Sequence, residues 1–303
     1  MKILGAGLSG LICGALNAQS TIWERNRSDV VEHKAVLRFR DDKVARALGL
    51  AFRKVRVNKA IWYQGEEVAP APRFANLYSL KVRGIVADAS IWNLSPSERF
   101  IAPENLHAIL ADICGARTHW NTTVTTSILN EMLESGPVVS TIPIVNLLST
   151  LDIAAPLDFN YAPIYVDRYH IEDCDVFQTI YFPDPVLSTY RATLTGKLLT
   201  IESVSGTPQP ELEIVLWALG LGEACPLEPL EANHRQSFGK IKPVDNNKRK
   251  ALLHSLTTAY GVYSLGRYAT WRNILLDDVY EDIAAIRRMM NQSEYDLNLT
   301  RAK

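Results

Sequence analysis

Apolar and polar positions along this chain follow two periods, and glycines mark where one gives way to the other. Lys2-Ile3-Leu4 is a short apolar strand that runs into Gly5-Ala6-Gly7-Leu8-Ser9-Gly10, then an apolar helical segment to about Asn17, then a second strand, Thr21-Ile22-Trp23, closed by Glu24. Alternation around Leu37 and Phe39 predicts an extended segment with Arg38 and Arg40 on one side. Asp42 to Leu48 reads as a short helix closed by Gly49. Val55 to Trp62 and Glu67-Val68 read as strands about a Gln64-Gly65 turn, and Pro70 and Pro72 interrupt the segment after them. Ala102-Pro103-Glu104 opens a helix to about Ile113, stopped by Gly115, with Leu106, Ile109, Leu110 and Ile113 on one face. Thr118 to Val124 is extended, and residues 136–143 form a buried strand that emerges at Pro143.

From Asn160 to Ser203 the period is two, with turns at Asp184-Pro185 and Gly196-Lys197, as in an antiparallel sheet. Helices come next over Glu211 to Leu219 and Val244 to Ala259. The last block repeats the logic of the first: a strand over residues 261–265, a Gly266-Arg267 turn, and a helix over Asp277 to Met290 with Val279, Ile283 and Ile286 inward. Strand and helix alternate at both ends around a β-rich middle. The pattern predicts an α/β fold, a doubly wound sheet with an antiparallel or mixed sheet inserted in it.

The 303 residues are enough to bury a substantial core, and 47% hydrophobic with 21% charged residues is ordinary for a globular chain. A formal net charge of -1 gives no global pull toward nucleic acid or an anionic membrane. Cys13, Cys114, Cys174 and Cys225 are far apart, with no CxxC and no metal-ligand spacing, so reduced thiols and no metal are expected. The fold starts at residue 2, which leaves no room for a signal peptide, and no apolar run reaches membrane-spanning length. These features predict a cytoplasmic protein with no membrane partner.

The N-terminal stretch carries the chemistry. Gly5 permits a tight turn, Gly7 lets backbone N–H groups approach a pyrophosphate, and Gly10 lets the helix pack on the strand. The helix N-terminus faces the phosphates, and Glu24, nineteen positions past Gly5, is placed to accept from a ribose diol. Arg38 and Arg40 are either a bidentate phosphate clamp or an edge strand paired with Asp41 and Asp42. At the other end, Arg267 before a helix with acids in its first turn offers charge to the same pyrophosphate. Lys248-Arg249-Lys250 is either a wetted helix face or a polyanion contact.

The residues Gly5, Gly7, Gly10 and Gly14, followed by Glu24-Arg25, resemble the opening of FAD-dependent oxidoreductases of the glutathione-reductase-like fold. The closing stretch from Leu265 to Arg272, followed by Asp277-Asp278-Val279, resembles the C-terminal flavin segment of UDP-galactopyranose mutases and their flavin amine oxidase relatives. Residues 189–193 are similar to the mutase strand whose arginine meets a substrate diphosphate. The resemblance implies FAD as cofactor, bound by Gly5, Gly7, Ser9, Gly10, Glu24, Arg25, Gly266, Arg267, Asp277 and Val279. It divides the chain into an FAD-binding domain of three parts, 1–60, 101–150 and 236–303, and a substrate domain of two, 61–100 and 151–235. The family's glycine- and histidine-rich loop is replaced here by Val30 to Lys34, and the chain is shorter than usual members. Its stretch from His33 to Arg40 looks more like compact phage-encoded FAD oxidoreductases, some of which resemble glycyl-thymidine oxidase.

Four functions stand as expectations. The first is an amine oxidase-like enzyme oxidising a C–N bond by hydride transfer to flavin N5, its substrate a small-molecule or nucleotide-linked amine, an aminoacylated thymidine in phage DNA included. His33 is its candidate base, with Arg38 and Trp271 as further catalytic candidates, and Arg40, Tyr181, Tyr190 and Arg191 as substrate-binding ones. With a phage origin the location would be the host cytoplasm and the process DNA modification, with Arg53, Lys54, Arg56 and the Lys248 cluster as candidate DNA contacts. The second is a UDP-sugar isomerase working from reduced flavin. The third is a non-redox binding protein on the same fold, against which the intact glycines argue. The last, an NAD-dependent dehydrogenase, is disfavoured by the Gly266-Arg267 return. The sequence sets no oligomeric state.

Overall fold

Short, mostly apolar strands are what a sheet buried on both faces requires. In the computed structural model, which describes residues 1–28, 37–87, 91–206, 209–222 and 225–301, five such strands form one sheet. Its order is Val262–Ser264, Val138–Ser140, Lys2–Leu4, Thr21–Trp23, Thr118–His119, and every neighbouring pair is parallel. The chain folds as two units. One comprises Met1–Arg53, Phe100–Phe159 and Pro243–Lys303, and the other Lys54–Arg99 and Asn160–Lys242.

The first unit holds the parallel sheet. Its core joins Ile3 and Val139 of the strands to Leu11 and Ile12 of helix Leu8–Leu16, Leu106 and Leu110 of helix Leu106–Cys114, and Val279, Ile283 and Ile286 of helix Leu276–Arg301. Of the face predicted for the Leu106 helix, Leu106 and Leu110 are buried, but Ile113 is 41% exposed and Cys114 takes its place. The helix begins three residues after Pro103. Only Thr118–His119 of the predicted 118–124 segment is strand, and helices Thr126–Glu134 and Ile144–Thr150 are additions to the sequence reading.

The second unit is a mixed sheet in the order Leu227–Ile241, Tyr161–Ile171, Leu198–Ser203, Thr189–Thr195, Phe177–Tyr181, Arg53–Tyr63. All pairs are antiparallel except the last, where Gln178 to Tyr181 run parallel to Asn58 to Ile61. Two of its elements escape the sequence pattern. Pro72 does not interrupt the chain: it stands at the start of helix Pro72–Arg83, where its missing N–H costs nothing, and Gly84 at φ 72° ends that helix. Leu227–Ile241 is an exposed edge strand whose pairing slips at three places, so its alternation is broken and Pro229 is tolerated. Helix Gln209–Ala218 covers one face through Leu212, Val215 and Leu216.

Candidate functional site

The parallel strands of the first unit all end at one edge, and the glycine loop leaves from there. Gly5 sits at φ 94°, a backbone state that side chains other than glycine resist, and a Cβ on it would lie 2.6 Å from Thr141 Oγ1. Thr141 Oγ1 in turn donates to the carbonyls of Leu4 and Gly5 at 2.7 and 3.1 Å, tying the loop to the strand next door. A Cβ on Gly10 would lie 1.9 Å from the Gly5 carbonyl oxygen, so helix and loop touch backbone to backbone. Gly7 differs. It is exposed, its φ is -68°, and a Cβ there would meet nothing within 4 Å. The protein's own packing demands glycine at Gly5 and Gly10, and leaves Gly7 to whatever approaches from outside.

Gly7 caps helix Leu8–Leu16 with no side-chain bond to it, and the first intrahelical bond runs from Leu11 N–H to Gly7 O at 2.9 Å. The N–H groups ahead of it lack helical acceptors and gather the positive end of the helix dipole. Glu24 is buried beside them. Its carboxylate accepts from Ala6 N–H at 2.8 Å and Asn26 N–H at 2.9 Å, so the acid is locked to the loop and keeps lone pairs for further donors. Arg25 is exposed. His107, which no motif singled out, holds the loop from helix Leu106–Cys114: its Nε2 lies 2.9 Å from the Ala6 carbonyl and must donate, because a carbonyl only accepts.

The C-terminal segment meets the same loop. Gly266, at φ 93°, comes so close to the first helix that a Cβ on it would stand 2.6 Å from Ser9 Oγ. The short helix Arg267–Thr270 ends at Trp271, a buried residue in the left-handed region at φ 48°, ψ 47°, its indole edge-on to Phe159. Arg267 is a clamp within this turn, donating through Nε and Nη2 to the Ile274 carbonyl. Among the described residues neither Arg267 nor Arg249 has a carboxylate partner. Arg40 and Asp277 are paired: Asp277 accepts from Arg40 N–H at 3.0 Å and Nε at 3.3 Å, and Asp278 accepts from Nη2 at 2.5 Å. Burial opposes ionisation of Asp278, but hydrogen bonds from Arg40 and the Leu275 N–H together with the charges of Arg40 and Arg272 outweigh it and hold the carboxyl below its ordinary value. Val279 is core, 1% exposed. Arg38 lies in the two-residue strand Arg38–Phe39, paired with Phe100 and Ile101. His33 falls outside the described residues.

The remaining candidates belong to the second unit. Tyr190 is fully buried and donates to Glu202 Oε1 at 3.0 Å, while Arg191 pairs with Glu202 Oε2. Both neighbours on one strand reach the same carboxylate because the register slips between Thr189 and Arg191. Burial would raise the Glu202 carboxyl, but the charges of Arg191 and Lys240 and the bonds from Arg191 and Tyr190 bring it down to about 2. Tyr181 stands edge-on to Tyr78, which also touches Tyr190, and burial pushes the Tyr78 phenol well above its ordinary value. Glu202 and Tyr78 were not candidates from sequence. Tyr78 lies on the helix that the prolines concealed, and Glu202 reads as one polar position in an alternating strand. Of the Lys248 cluster, Lys248 and Lys250 are exposed and Arg249 is buried, so three adjacent cations do not form one surface.

No family model matches this sequence, and no curated protein matches it. Solved structures do match its fold. Reduced UDP-galactopyranose mutase superposes with a TM-score of 0.63 over 89% of this chain and 89% of its own, at 14% identity. Two others fall below one half. They are pqsL, a probable FAD-dependent monooxygenase from Pseudomonas aeruginosa, at 0.47 over 96% and 92% and 12% identity, and the rebeccamycin biosynthetic enzyme RebC with reduced flavin, at 0.48 and 13% identity. This chain spans 55% of RebC. The first match establishes the fold class: α/β, a Rossmann-type sheet of the flavoprotein kind with an inserted mixed sheet. Among the described residues no helix is long and apolar enough to cross a membrane.

Proposed function

We propose that this chain is an FAD-dependent enzyme. The observation that carries the reading is the meeting of Gly266 with Ser9 at the mouth of the glycine loop, which brings the two ends of the chain to one cradle. The cradle suits a dinucleotide. Gly7 is open where a pyrophosphate would sit, the first-turn N–H groups point there, and Glu24 has lone pairs left for ribose hydroxyls. Arg249 and Arg267 supply positive charge that has no carboxylate partner among the described residues. When bound, the flavin would supply the acceptor for a hydride and its electron pair. The fold likeness to UDP-galactopyranose mutase supports the reading without identifying a reaction.

As the reaction we propose oxidation of a C–N bond in an amine or amino-acid-type substrate, with an aminoacylated thymidine in DNA as the most specific form. The chain's part would be to bind and orient the amine. Within the first unit, Trp271 offers an apolar indole for that task. For a DNA substrate, backbone contacts would fall to Arg53, Lys54, Arg56, Lys248 and Lys250, all exposed. A second reading, a UDP-sugar isomerase that needs reduced flavin, is favoured by the near full-length likeness to the mutase and by the Arg191 strand. The visible spectrum of purified protein tests the first step. A yellow protein releasing FAD on heating is expected, and a colourless one that cannot be reconstituted would overturn it. Anaerobic bleaching by candidate amines supports the oxidase, whereas isomerisation of a UDP-hexose only after dithionite reduction supports the second reading.

A further inference from the structure

Arg249 is charged, 7% exposed and unpaired with any acid among the described residues. Its Nη1 donates to the Thr270 carbonyl at 2.9 Å and its Nη2 to Asn246 Oδ1 at 2.6 Å. The charged group that faces it is another guanidinium, Arg272, itself neutralised by Asp282. Folded chains seldom keep a buried cation without a counter-charge, because its lost hydration is then uncompensated. A neutral amide could have satisfied the Thr270 carbonyl, so the hydrogen bond alone does not explain the charge.

The bond it makes is at a particular place. The Thr270 carbonyl belongs to the peptide that sets φ of Trp271, the residue held at φ 48°. Thr270 Oγ1 donates to the Gly266 carbonyl at 2.7 Å, and Gly266 abuts Ser9 at the start of the first helix. From Arg249 to the helix N-terminus there are thus three contacts, through Thr270 and Gly266, all within one unit. A left-handed tryptophan is strained and persists only where its surroundings over-determine it. The geometry points to Arg249 as a positioning residue of the dinucleotide cradle: it fixes the Thr270–Trp271 peptide and presents a buried positive charge whose counter-charge is an anionic oxygen of the bound cofactor. This rests on the FAD reading above.

Arg249→Met, which keeps the stem and removes the charge, is the test, with Arg249→Lys as the conservative rescue. Wild-type protein is first shown to bind FAD; if it does not, the functional reading fails and Arg249 is not at issue. Circular dichroism and melting of the FAD-free proteins then establish that the variants fold. If the counter-charge is the pyrophosphate, Arg249→Met weakens oxidised FAD about tenfold with its midpoint potential unchanged. If it is the reduced ring, oxidised FAD binds as before and the potential falls by about 30 mV, the two-electron equivalent of tenfold. Either result supports the proposal when Arg249→Lys restores most of the loss. A folded Arg249→Met with wild-type affinity and potential overturns it. Should the methionine variant not fold, Arg249→Gln, which keeps a donor for Thr270 without the charge, carries the same expectations.

Discussion

Alanine at Gly7 and alanine at Gly10 are the same chemical change three residues apart, and the structure predicts opposite consequences. At Gly10 the added methyl would lie 1.9 Å from the Gly5 carbonyl oxygen and 3.0 Å from its carbon. Neither atom is the end of a flexible side chain: both belong to a loop pinned by Thr141 and by Glu24 through Ala6. The helix must move off the strand, and overpacking with rigid neighbours costs about 3 kcal/mol, the upper end of the usual range. In a chain of this size that corresponds to a melting temperature lower by roughly 6–10 °C. At Gly7 the methyl meets nothing within 4 Å and φ is -68°, which alanine adopts freely. The remaining cost is the poorer N-cap, about 0.5–1 kcal/mol, or roughly 1–3 °C. Yet the methyl would occupy the space above the first-turn N–H groups, where the pyrophosphate of the proposed FAD would approach. Gly7→Ala should therefore weaken FAD at least about tenfold, or about 1.4 kcal/mol, in a protein that melts nearly as wild type. Differential scanning fluorimetry of FAD-free protein and titration of flavin fluorescence measure the two quantities separately. Unaltered FAD affinity in Gly7→Ala would refute the placement of the pyrophosphate, and unaltered melting in Gly10→Ala would refute the packing argument.

The Glu202 carboxyl, at about 2 in the folded chain against an ordinary 4.5, contributes stability that is complete above pH 4.5 and is lost as pH falls toward 2. That contribution is at most about 3 kcal/mol, and Arg191→Met should melt far lower at pH 7 while losing most of the wild type's extra sensitivity between pH 4.5 and 2; parallel pH–melting curves for the two proteins would contradict it. Ser140 Oγ is fully buried with no hydrogen-bond partner among the described residues, so Ser140→Ala should leave the stability unchanged or raise it by up to about 1 kcal/mol; a clear loss of stability would show that the hydroxyl is satisfied. Burial pushes the Cys13 thiol up to about 12 and raises that of Cys114, while Cys174 and Cys225 are half-buried. A disulfide reagent at pH 8 should titrate Cys174 and Cys225 quickly in native protein and reach Cys13 and Cys114 only on unfolding, which peptide mapping of the labelled thiols decides.

The glycine spacing, the apolar strand before it and the acid after it are enough to predict the first strand, helix and second strand, because these are fixed by interactions within a few residues. Gly5 and Gly10 are legible for that reason, and so is the helix closed by Gly49. The same locality explains the elements that sequence does not reveal. Pro72 starts a helix rather than breaking one, and only the sheet beneath shows which, since a proline at a first turn and a proline in a loop look alike in sequence. The strand Leu227–Ile241 pairs with Tyr161–Ile171, more than fifty residues earlier, through a slipping register that erases its own period.

Charged side chains divide in the same way. Arg40, Asp277 and Arg249 each carry a charge that sequence can identify, but partner choice depends on what lies within a few ångströms in space. Arg40 and Asp277, 237 residues apart, neutralise one another, and Arg249, in the middle of a basic triplet, turns inward while Lys248 and Lys250 face solvent. Sequence alone determined the glycine loop that opens the chain, the strand before it and the helix after it. The tertiary structure decided which cations are spent and which are kept, because Coulomb and hydrogen-bond energies depend on separation and burial rather than on order along the chain.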